Sequence, residues 1–325
     1  MNYPFVSVCT PTFNRRPFIP FAIKTFFNFI WPKDRIEWII IDDGTDPIRD
    51  LVENIPEVKY FYYKDKMLLG KKRNLMHTKC KGDIIIYMDD DDYYPPNRIK
   101  HAVDTLFNNP SYLIAGSSAM HIYYECNNTI YQCGPYKENH ATAATFAFKK
   151  ELLKTTKFNE NDVMSEEKTF LKNYTIPLLQ LDPFNTILVF SHKHNSLNKE
   201  KLLENPAQYR MQATKYKVED FIQNNELLQF YKIDMNNLLV NYEPGNPNNK
   251  PEIMEEITKY EKKMKNKKKE FETKQLLTSM FNSNDVVQYK KQIEEKNLLI
   301  NELFKKIKLL TEENSELKNK LLEKA

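Results

Sequence analysis

Four short segments within residues 5–110 are continuously apolar, and polar or helical stretches separate them. They predict strands at residues 5–10, 37–44, 58–63 and 83–88. Strands that are apolar throughout are typical of a parallel sheet whose two faces are both covered by helices. The sequence therefore predicts an α/β fold. Shorter strand-like pieces in residues 111–148 predict an antiparallel extension of the sheet.

Two helices are predicted between these strands. Residues 19–30 carry isoleucine and phenylalanine at helical spacing, and Pro17 suits the first turn of that helix. Residues 70–82 predict a second helix that ends in basic residues, with Gly82 as its C-cap.

Charge and hydropathy argue against several kinds of partner. A net charge of +4 on 325 residues is too close to balance to indicate a nucleic-acid or membrane partner. No apolar run reaches the length of a transmembrane helix. The first 14 residues lack the basic start and apolar core of a signal peptide. We therefore expect a cytoplasmic protein with no nucleic-acid partner and no transmembrane segment.

Four consecutive carboxylates, residues 89–92, directly follow the strand predicted at 83–88. Ligands of open parallel sheets bind beyond the carboxyl ends of the strands, where Asp42 and Asp43 are also expected. Oxygen ligands in that place suit a hard divalent cation together with substrate phosphates. Because alternate residues of an extended segment face one side, Asp89 and Asp91 are expected to act together. The alternative is a solvated acidic loop.

Five motifs in this order resemble those of the family-two glycosyltransferases: VSVCTPTFNRR, EWIIIDDG, GKKRN, GDIIIYMDDDDYYPPNRI and SEEKTFL. The resemblance covers roughly residues 4–195. It implies an inverting enzyme of the GT-A fold, a Rossmann-like mixed sheet sandwiched by helices. It also implies a nucleotide-sugar donor, for which a UDP-sugar is favoured, a Mn²⁺ or Mg²⁺ cofactor, and a carbohydrate or glycosylated acceptor.

The resemblance also implies roles for individual residues on the donor side. Asp91 corresponds to the metal ligand of the DxD motif, and Asp89 contacts the metal or the ribose. His192, with His194 as the alternative, is the expected further metal ligand or phosphate contact. The remaining donor-binding candidates are Thr10, Pro11, Asn14, Asp43, Lys71, Arg73 and Asp90. A solvated basic helix face is the alternative for Lys71.

The acceptor side is expected from two segments. Ser165 is predicted to cap a helix that opens with Glu166 and Glu167, at the positive end of its dipole. The family's acidic pair lies here, usually as Glu-Asp, so Glu167 is the expected catalytic base and Glu166 orients the acceptor. The opposite assignment stays open. Residues 134–148 supply the acceptor-binding candidates Asn139, His140 and Thr145, although a polar hairpin describes them equally well.

The predicted domain organisation has four parts. Residues 1–110 form the nucleotide-sugar half and 111–240 the acceptor half of one catalytic domain, 241–252 a linker, and 253–325 a helical tail.

Within the tail, a coiled coil is predicted at 286–322. Its a positions are Ile293, Ile300, Ile307, Asn314 and Leu321, and its d positions include Leu303, Leu310 and Leu317. Isoleucine at a with leucine at d favours a parallel homodimer. A single helix folded back on the enzyme is the alternative. The alternative to a glycosyltransferase is a non-catalytic scaffold that binds a sugar nucleotide and uses its coiled coil to bind partners.

Overall fold

The computed structural model describes residues 3–280 and 283–322. The chain divides into two compact units, Met1–Ile257 and Thr258–Ala325, which are described separately. The strands are β1 Val6–Thr12, β2 Ile36–Asp42, β3 Val58–Tyr62, β4 Ile84–Tyr87, β5 Ile114–Gly116, β6 Met120–Tyr124, β7 Thr129–Cys133, β8 Ala147–Lys149, β9 Leu179–Gln180, β10 Leu188–Ser191 and β11 Met211–Ala213. The α-helices are α1 Ile19–Asn28, α2 Arg49–Val52, α3 Leu69–Lys79, α4 Arg98–Asn108, α5 Glu167–Phe170, α6 Val218–Phe221, α7 Asn225–Gln229, α8 Met235–Val240, α9 Pro251–Met280 and α10 Ser283–Leu322.

The first unit is built on a seven-stranded mixed sheet of order β3-β2-β1-β4-β8-β5-β9. Strands β3, β2, β1 and β4 are parallel, and β8 runs antiparallel between β4 and β5. The predicted α/β class, a mixed sheet sandwiched by helices, is confirmed. Since β5, β8 and β9 belong to the predicted acceptor half, the two halves share one sheet.

Alternate residues of each central strand enter different layers, as the period of two requires. Val8 and Ile40 pack in the layer where Phe26 stacks on Trp38 with ring centroids 4.9 Å apart. Cys9 and Ile41 pack on the other face. A sheet buried on both faces explains why these strands are apolar throughout.

A second, four-stranded sheet of order β10-β6-β7-β11 contains the hairpin β6–β7. The antiparallel extension expected for residues 111–148 is thus divided between two sheets. An aromatic cluster joins β10 to the following helices, and in it Phe190 stacks on Tyr231 at 4.4 Å. Tyr93 and Leu188 belong to this cluster and form an isolated β-bridge, which holds the start of β10 beside the end of the acidic run.

Two local expectations need correction. Helix α3 ends at Lys79 with Cys80 at its C-cap, so Gly82 is not the cap. Gly82 instead lies against β1, where a Cβ would be 2.4 Å from the backbone nitrogen of Ser7. The stretch 241–252, expected to be a linker, lies inside the first unit as two short 3₁₀ helices and the start of α9.

The second unit is helical, formed by the rest of α9 and by α10. The described heptad side chains of α10, including Ile300, Ile307, Leu303 and Leu310, are about half exposed. The side chain of Leu321, and residues 281–282 and 323–325, lie outside the described residues. In the part of the chain that the structure describes, no helix combines the length and apolarity needed to cross a membrane.

Candidate active site

A cavity of about 360 Å³ opens at the carboxyl ends of β1 and β4. This is the edge at which open α/β sheets bind ligands. Its acidic lining residues are Asp89, Asp90, Asp91, Asp92 and Glu252, and its basic lining residues are Arg15, Lys66, Lys72, Arg73, Lys199 and Lys250. The convergence of both charge signs in one cavity suits a ligand that binds through phosphates and a cation.

The acidic run is a fixed part of the site and not a solvated loop. The backbone N–H of Asp89 donates to the buried Tyr94 Oη at 2.8 Å. Asp92 Oδ1 accepts from the N–H of Phe190 in β10 at 3.0 Å. These two contacts hold both ends of the run, and Asp90 and Asp92 are buried.

The four carboxyl groups differ in ionisation. Burial raises the pKa of Asp89 to about 6 and, with the charge of Asp91, that of Asp90 to about 7. Burial likewise raises the pKa of Asp92 well above its usual range. The pKa of Asp91 is held well below its usual range, because Arg15 and His192 outweigh the effect of its own burial. Negative charge is therefore concentrated on Asp91.

Arg15 was not among the sequence candidates, yet it is the main cation beside the run. Its side chain is 6% exposed and lies 3.6 Å from Asp90 Oδ1 and 3.4 Å from Asp91 Oδ2. It also donates to the carbonyl of His194 at 2.9 Å. The tandem arginines after β1 were a signal for such a residue, but only the fold shows which of the two turns inward. Arg16 pairs instead with Asp46 and Asp50.

His192 comes from the end of β10 and meets Asp91. Its Nε2 lies 3.2 Å from Asp91 Oδ2 and 2.8 Å from Asn195 Nδ2. Burial lowers the pKa of His192 to about 4, so the ring is neutral, the form that ligates metals. His194, the alternative, does not line the cavity and lies against Gly245.

These residues fit a divalent cation in part. Asp91 and His192 are adjacent, and Asp89 Oδ1 is a buried acceptor without a hydrogen-bond partner among the described residues. The predicted three-residue set is not assembled, because Asp89 lies toward Arg73 at 3.8 Å. In the described part of the chain no three His, Cys, Asp or Glu side chains are grouped to hold a metal. Mg²⁺ or Mn²⁺ commonly takes one or two protein ligands plus phosphates, so Asp91 and His192 are the residues that would hold it.

Helix α3 supplies two buried cations. Arg73 Nε donates to Glu166 Oε1 at 2.8 Å, its guanidinium lies 4.4 Å from the Tyr87 ring centroid, and its Nη1 has no partner among the described residues. Lys72 is ion-paired with Asp43 and donates to the carbonyl of Thr12 at 2.9 Å.

The expected donor contact Lys71 is exposed and does not line the cavity, so Lys72 replaces it as the buried lysine of this helix. Helical spacing in the sequence could have indicated Lys72 in place of Lys71. Lys72 lies four residues before the buried Met76, and therefore on the inner face of α3.

Two other donor candidates serve the framework, and a third lines the cavity. Thr10 Oγ1 donates to the carbonyl of Met88 at 2.6 Å and accepts from Trp38 Nε1, so it is enclosed within the sheet. Asn14, at φ 54°, uses its side-chain oxygen to accept from the N–H groups of Thr45 and Asp46. Pro11 does line the cavity.

Asp43, the expected base contact, is occupied by protein groups. Besides pairing with Lys72, its Oδ2 accepts from the N–H of Met67 at 2.7 Å. It does not line the cavity, but it fixes the loop before α3. Met67 and Leu68 of this loop and Leu69 at the start of α3 do line the cavity.

The two expected acceptor-side glutamates differ. Glu166 is buried and paired with Arg73, whereas Glu167 is half-buried and opens α5. Burial, with the charge of Glu166, raises the pKa of Glu167 to about 7. The predicted cap Ser165 makes no capping hydrogen bond, and Glu166 takes the N-cap position.

The three acceptor-binding candidates differ in their burial and in the groups that they contact. Thr145 is fully buried and donates to the carbonyl of Thr142, so it cannot contact an acceptor in this structure. Asn139 Oδ1 accepts from the N–H of Leu178 at 3.4 Å. His140 is half-buried between the rings of Tyr136 and Tyr174, each at 5.1 Å.

Comparison with known proteins finds a family similarity in the first half of the chain. Residues 7–162, which contain β1 to β8 and the acidic run, match the model of Glycosyl transferase family 2. Just under half of the chain, residues 7–162, is therefore similar to glycosyl transferase family 2. The resemblance seen in the five sequence motifs is confirmed.

Individual family 2 relatives match shorter stretches. An uncharacterized glycosyltransferase of Haemophilus influenzae is 27% identical over 124 residues, which are 37% of this chain and 49% of that protein. The poly(ribitol-phosphate) beta-N-acetylglucosaminyltransferase TarS of Staphylococcus aureus is 27% identical over 109 residues, 30% of this chain and 18% of TarS. The chain thus spans about half the length, or less, of these curated relatives. Among solved structures, the mannosyltransferase PcManGT of Pyrobaculum calidifontis in complex with GDP-Man and Mn²⁺ is 16% identical, with a TM-score of 0.49 and 71% of each chain covered.

Proposed function

We propose that this chain is a metal-dependent, inverting glycosyltransferase that moves a hexosyl group from a nucleoside-diphosphate sugar, preferably a UDP-sugar, to an acceptor hydroxyl. The observation that carries the proposal is the meeting of Asp91, His192, Arg15, Lys72 and Arg73 at the carboxyl ends of β1 and β4. The family match and the name of TarS, an N-acetylglucosaminyltransferase, support the class of reaction.

On the donor side, the chain binds the diphosphate and stabilises the charge that develops on it. A divalent cation held by Asp91 and His192 would supply Lewis-acid stabilisation of the leaving group when bound. Arg73, fixed by Glu166, presents its unpartnered Nη1 in a cavity wall. Preorganised charges of this kind lower the barrier because they need no reorientation during the reaction.

On the acceptor side, Glu167 is the proposed general base. It takes the proton of the acceptor hydroxyl while that oxygen forms its bond to the anomeric carbon. The bond between this carbon and the phosphate oxygen breaks, and the nucleoside diphosphate leaves with the electron pair. A pKa of about 7 suits this task, because a base is most effective when its pKa lies near the working pH.

We expect donor binding to appear as a thermal shift. The full chain is heated with a panel of UDP- and GDP-sugars, with and without Mn²⁺. A ligand that binds the native state raises the unfolding midpoint by an amount set by its concentration relative to Kd. At least one donor should raise the midpoint only in the presence of the metal. No shift with any member of the panel would contradict the proposed donor class.

The competing function is a scaffold that binds the donor without catalysis. Measurement of donor hydrolysis distinguishes this scaffold from a glycosyltransferase. A catalytic site should slowly hydrolyse its bound donor, because water can replace the acceptor. We expect release of the nucleoside diphosphate to require the metal. Donor binding without any turnover would favour the scaffold.

We also propose that α10 forms a parallel coiled-coil homodimer. The described a and d side chains make one apolar stripe, with Ile293, Ile300 and Ile307 at a and Leu303 and Leu310 at d, each 46–58% exposed. A stripe of this kind on a long helix gains its burial from a second helix.

Replacement of two d residues by aspartate should dissociate this dimer. The full chain with Leu303→Asp and Leu310→Asp is expected to sediment as a monomer, because each change places a charge in the seam. The matched control is Leu298→Asp with Leu309→Asp, two exposed leucines at f and c positions of the same helix, which should remain dimeric. If both double variants sediment as dimers like the wild type, α10 does not form the dimer interface.

A further inference from the structure

The segment 242–253, outside the residues that match the family, is attached at its first half to the loops after β1 and β2. Tyr242 Oη donates to Asp46 Oδ2 at 2.8 Å, and Asn14 Nδ2 donates to the carbonyl of Pro244 at 2.9 Å. Gly245 allows the closest approach, since a Cβ there would lie 2.6 Å from His194 Nδ1 and 3.0 Å from the carbonyl oxygen of Asn14. The segment is therefore built into the wall of the site.

Its second half is attached by Lys66. The Lys66 ammonium donates to the carbonyl of Asn249 at 3.0 Å and pairs with Glu252 at 2.7 Å. Lys250, between these two contacts, reaches the cavity. Its Nζ donates to Ser196 Oγ at 3.0 Å and lies 5.9 Å from the centroid of the Phe13 ring.

Lys250, which is partly buried, differs from the buried cations of the cavity because it forms no ion pair within the part of the chain that the structure describes. Lys72 is paired with Asp43, Arg73 with Glu166, and Arg15 with Asp90 and Asp91. Among the described residues, Lys250 has no carboxylate within 4 Å. Burial, together with the positive charge of Arg15, lowers the pKa of Lys250 to about 7, although the charges of Asp90 and Asp91 act in the opposite direction. A ligand anion in the cavity would supply the direct ion-pair partner that Lys250 does not have among the described residues.

We propose that Lys250 binds the diphosphate of the donor, and that the segment 242–253 is a donor-site element. The substrate class rests on the proposed function, but the anion site itself does not. Ser196 acts as a positioning residue, because its hydroxyl accepts from the ammonium group and directs it into the cavity.

Pyrophosphate tests this proposal without a base or a sugar. The full chain is titrated with pyrophosphate by calorimetry in a Mn²⁺ buffer, and so are its Lys250→Gln and Lys250→Arg variants. Loss of a charged hydrogen bond should weaken binding by about tenfold or more in Lys250→Gln, and Lys250→Arg should recover most of the affinity. Lys193→Gln is the matched control, since Lys193 is exposed and does not line the cavity.

In the pyrophosphate titration, two outcomes overturn the proposal: pyrophosphate does not bind the wild type, or it binds Lys250→Gln as well as the wild type. If Lys250→Gln unfolds, Ser196→Ala replaces it and must weaken binding several-fold. Lys250-dependent pyrophosphate binding without any nucleotide-sugar binding would contradict the proposed function and leave this site standing. Nucleotide-sugar binding that is equally tight in the wild type and in Lys250→Gln would contradict the role of Lys250 and leave the proposed function standing.

Discussion

Asp91→Asn is expected to abolish metal-dependent donor binding and leave the fold intact. The substitution keeps the shape of the side chain but removes the one carboxylate of the run whose pKa is held low. Without that charge, Arg15 and the neutral His192 remain beside the position of the cation. We expect the affinity for the donor in Mn²⁺ to fall at least about 100-fold, or roughly 2.7 kcal/mol. The thermal shift with the best donor measures this loss.

Asp65→Asn is the control for this change. Asp65 is an exposed carboxylate in the loop before α3, and it does not line the cavity. Its replacement should leave the metal-dependent shift unchanged. If Asp91→Asn kept full turnover and still required the metal, the assignment of Asp91 as metal ligand would be wrong.

Glu167→Gln should lower sugar transfer by at least about 100-fold while donor affinity stays within a few-fold. The amide cannot accept the proton of the acceptor hydroxyl, but Arg73 and its partner Glu166 are untouched. Single-turnover transfer and donor binding measure the two effects separately. The exposed Glu160 provides the control, and Glu160→Gln should behave as the wild type.

The same residue predicts the pH dependence of the wild type. A base must be deprotonated, and the pKa of Glu167 is about 7, so turnover should rise about tenfold per pH unit below 7 and level off above it. The pKa of this carboxyl is about 7 in the folded state, against an ordinary value of 4.5. Ionisation of Glu167 therefore lowers the stability of the fold progressively as the pH rises from about 4.5 to 7, and the full penalty remains above 7. Glu167→Gln should therefore raise the thermal midpoint at pH 8.

Two other results would change the assignment of Glu167 as the catalytic base. Near-normal transfer by Glu167→Gln with an inactive Glu166→Gln would make Glu166 the base. Normal transfer in both variants would remove the pair from the mechanism. Glu166→Gln is itself expected to disturb Arg73, because the two side chains form a buried ion pair.

Several features of the site could be predicted from sequence because they are encoded locally. A continuously apolar strand ends where the acids begin, so the position of Asp89 to Asp92 at the sheet edge follows from residues 84–92 alone. The inner face of α3 is also a local property, and helical spacing would have selected Lys72 over Lys71. The hydroxyls of Thr10 and Thr145 donate to backbone carbonyls, and the sequence alone does not indicate whether a threonine hydroxyl contacts a ligand or a carbonyl.

The sequence by itself determined the α/β class, the position of the acidic run at the carboxyl edge of the sheet and the family resemblance, because each depends on the period and order of neighbouring residues. Only the tertiary structure decided which charges meet there. Arg15 pairs with acids about 75 positions away, Glu166 reaches back to Arg73, and Lys250 enters from a segment whose proline and asparagine content predicted a linker. Such pairings depend on how strands, helices and the final segment pack together. A local sequence pattern does not specify that packing, because the paired residues lie in different secondary-structure elements that are far apart in the chain.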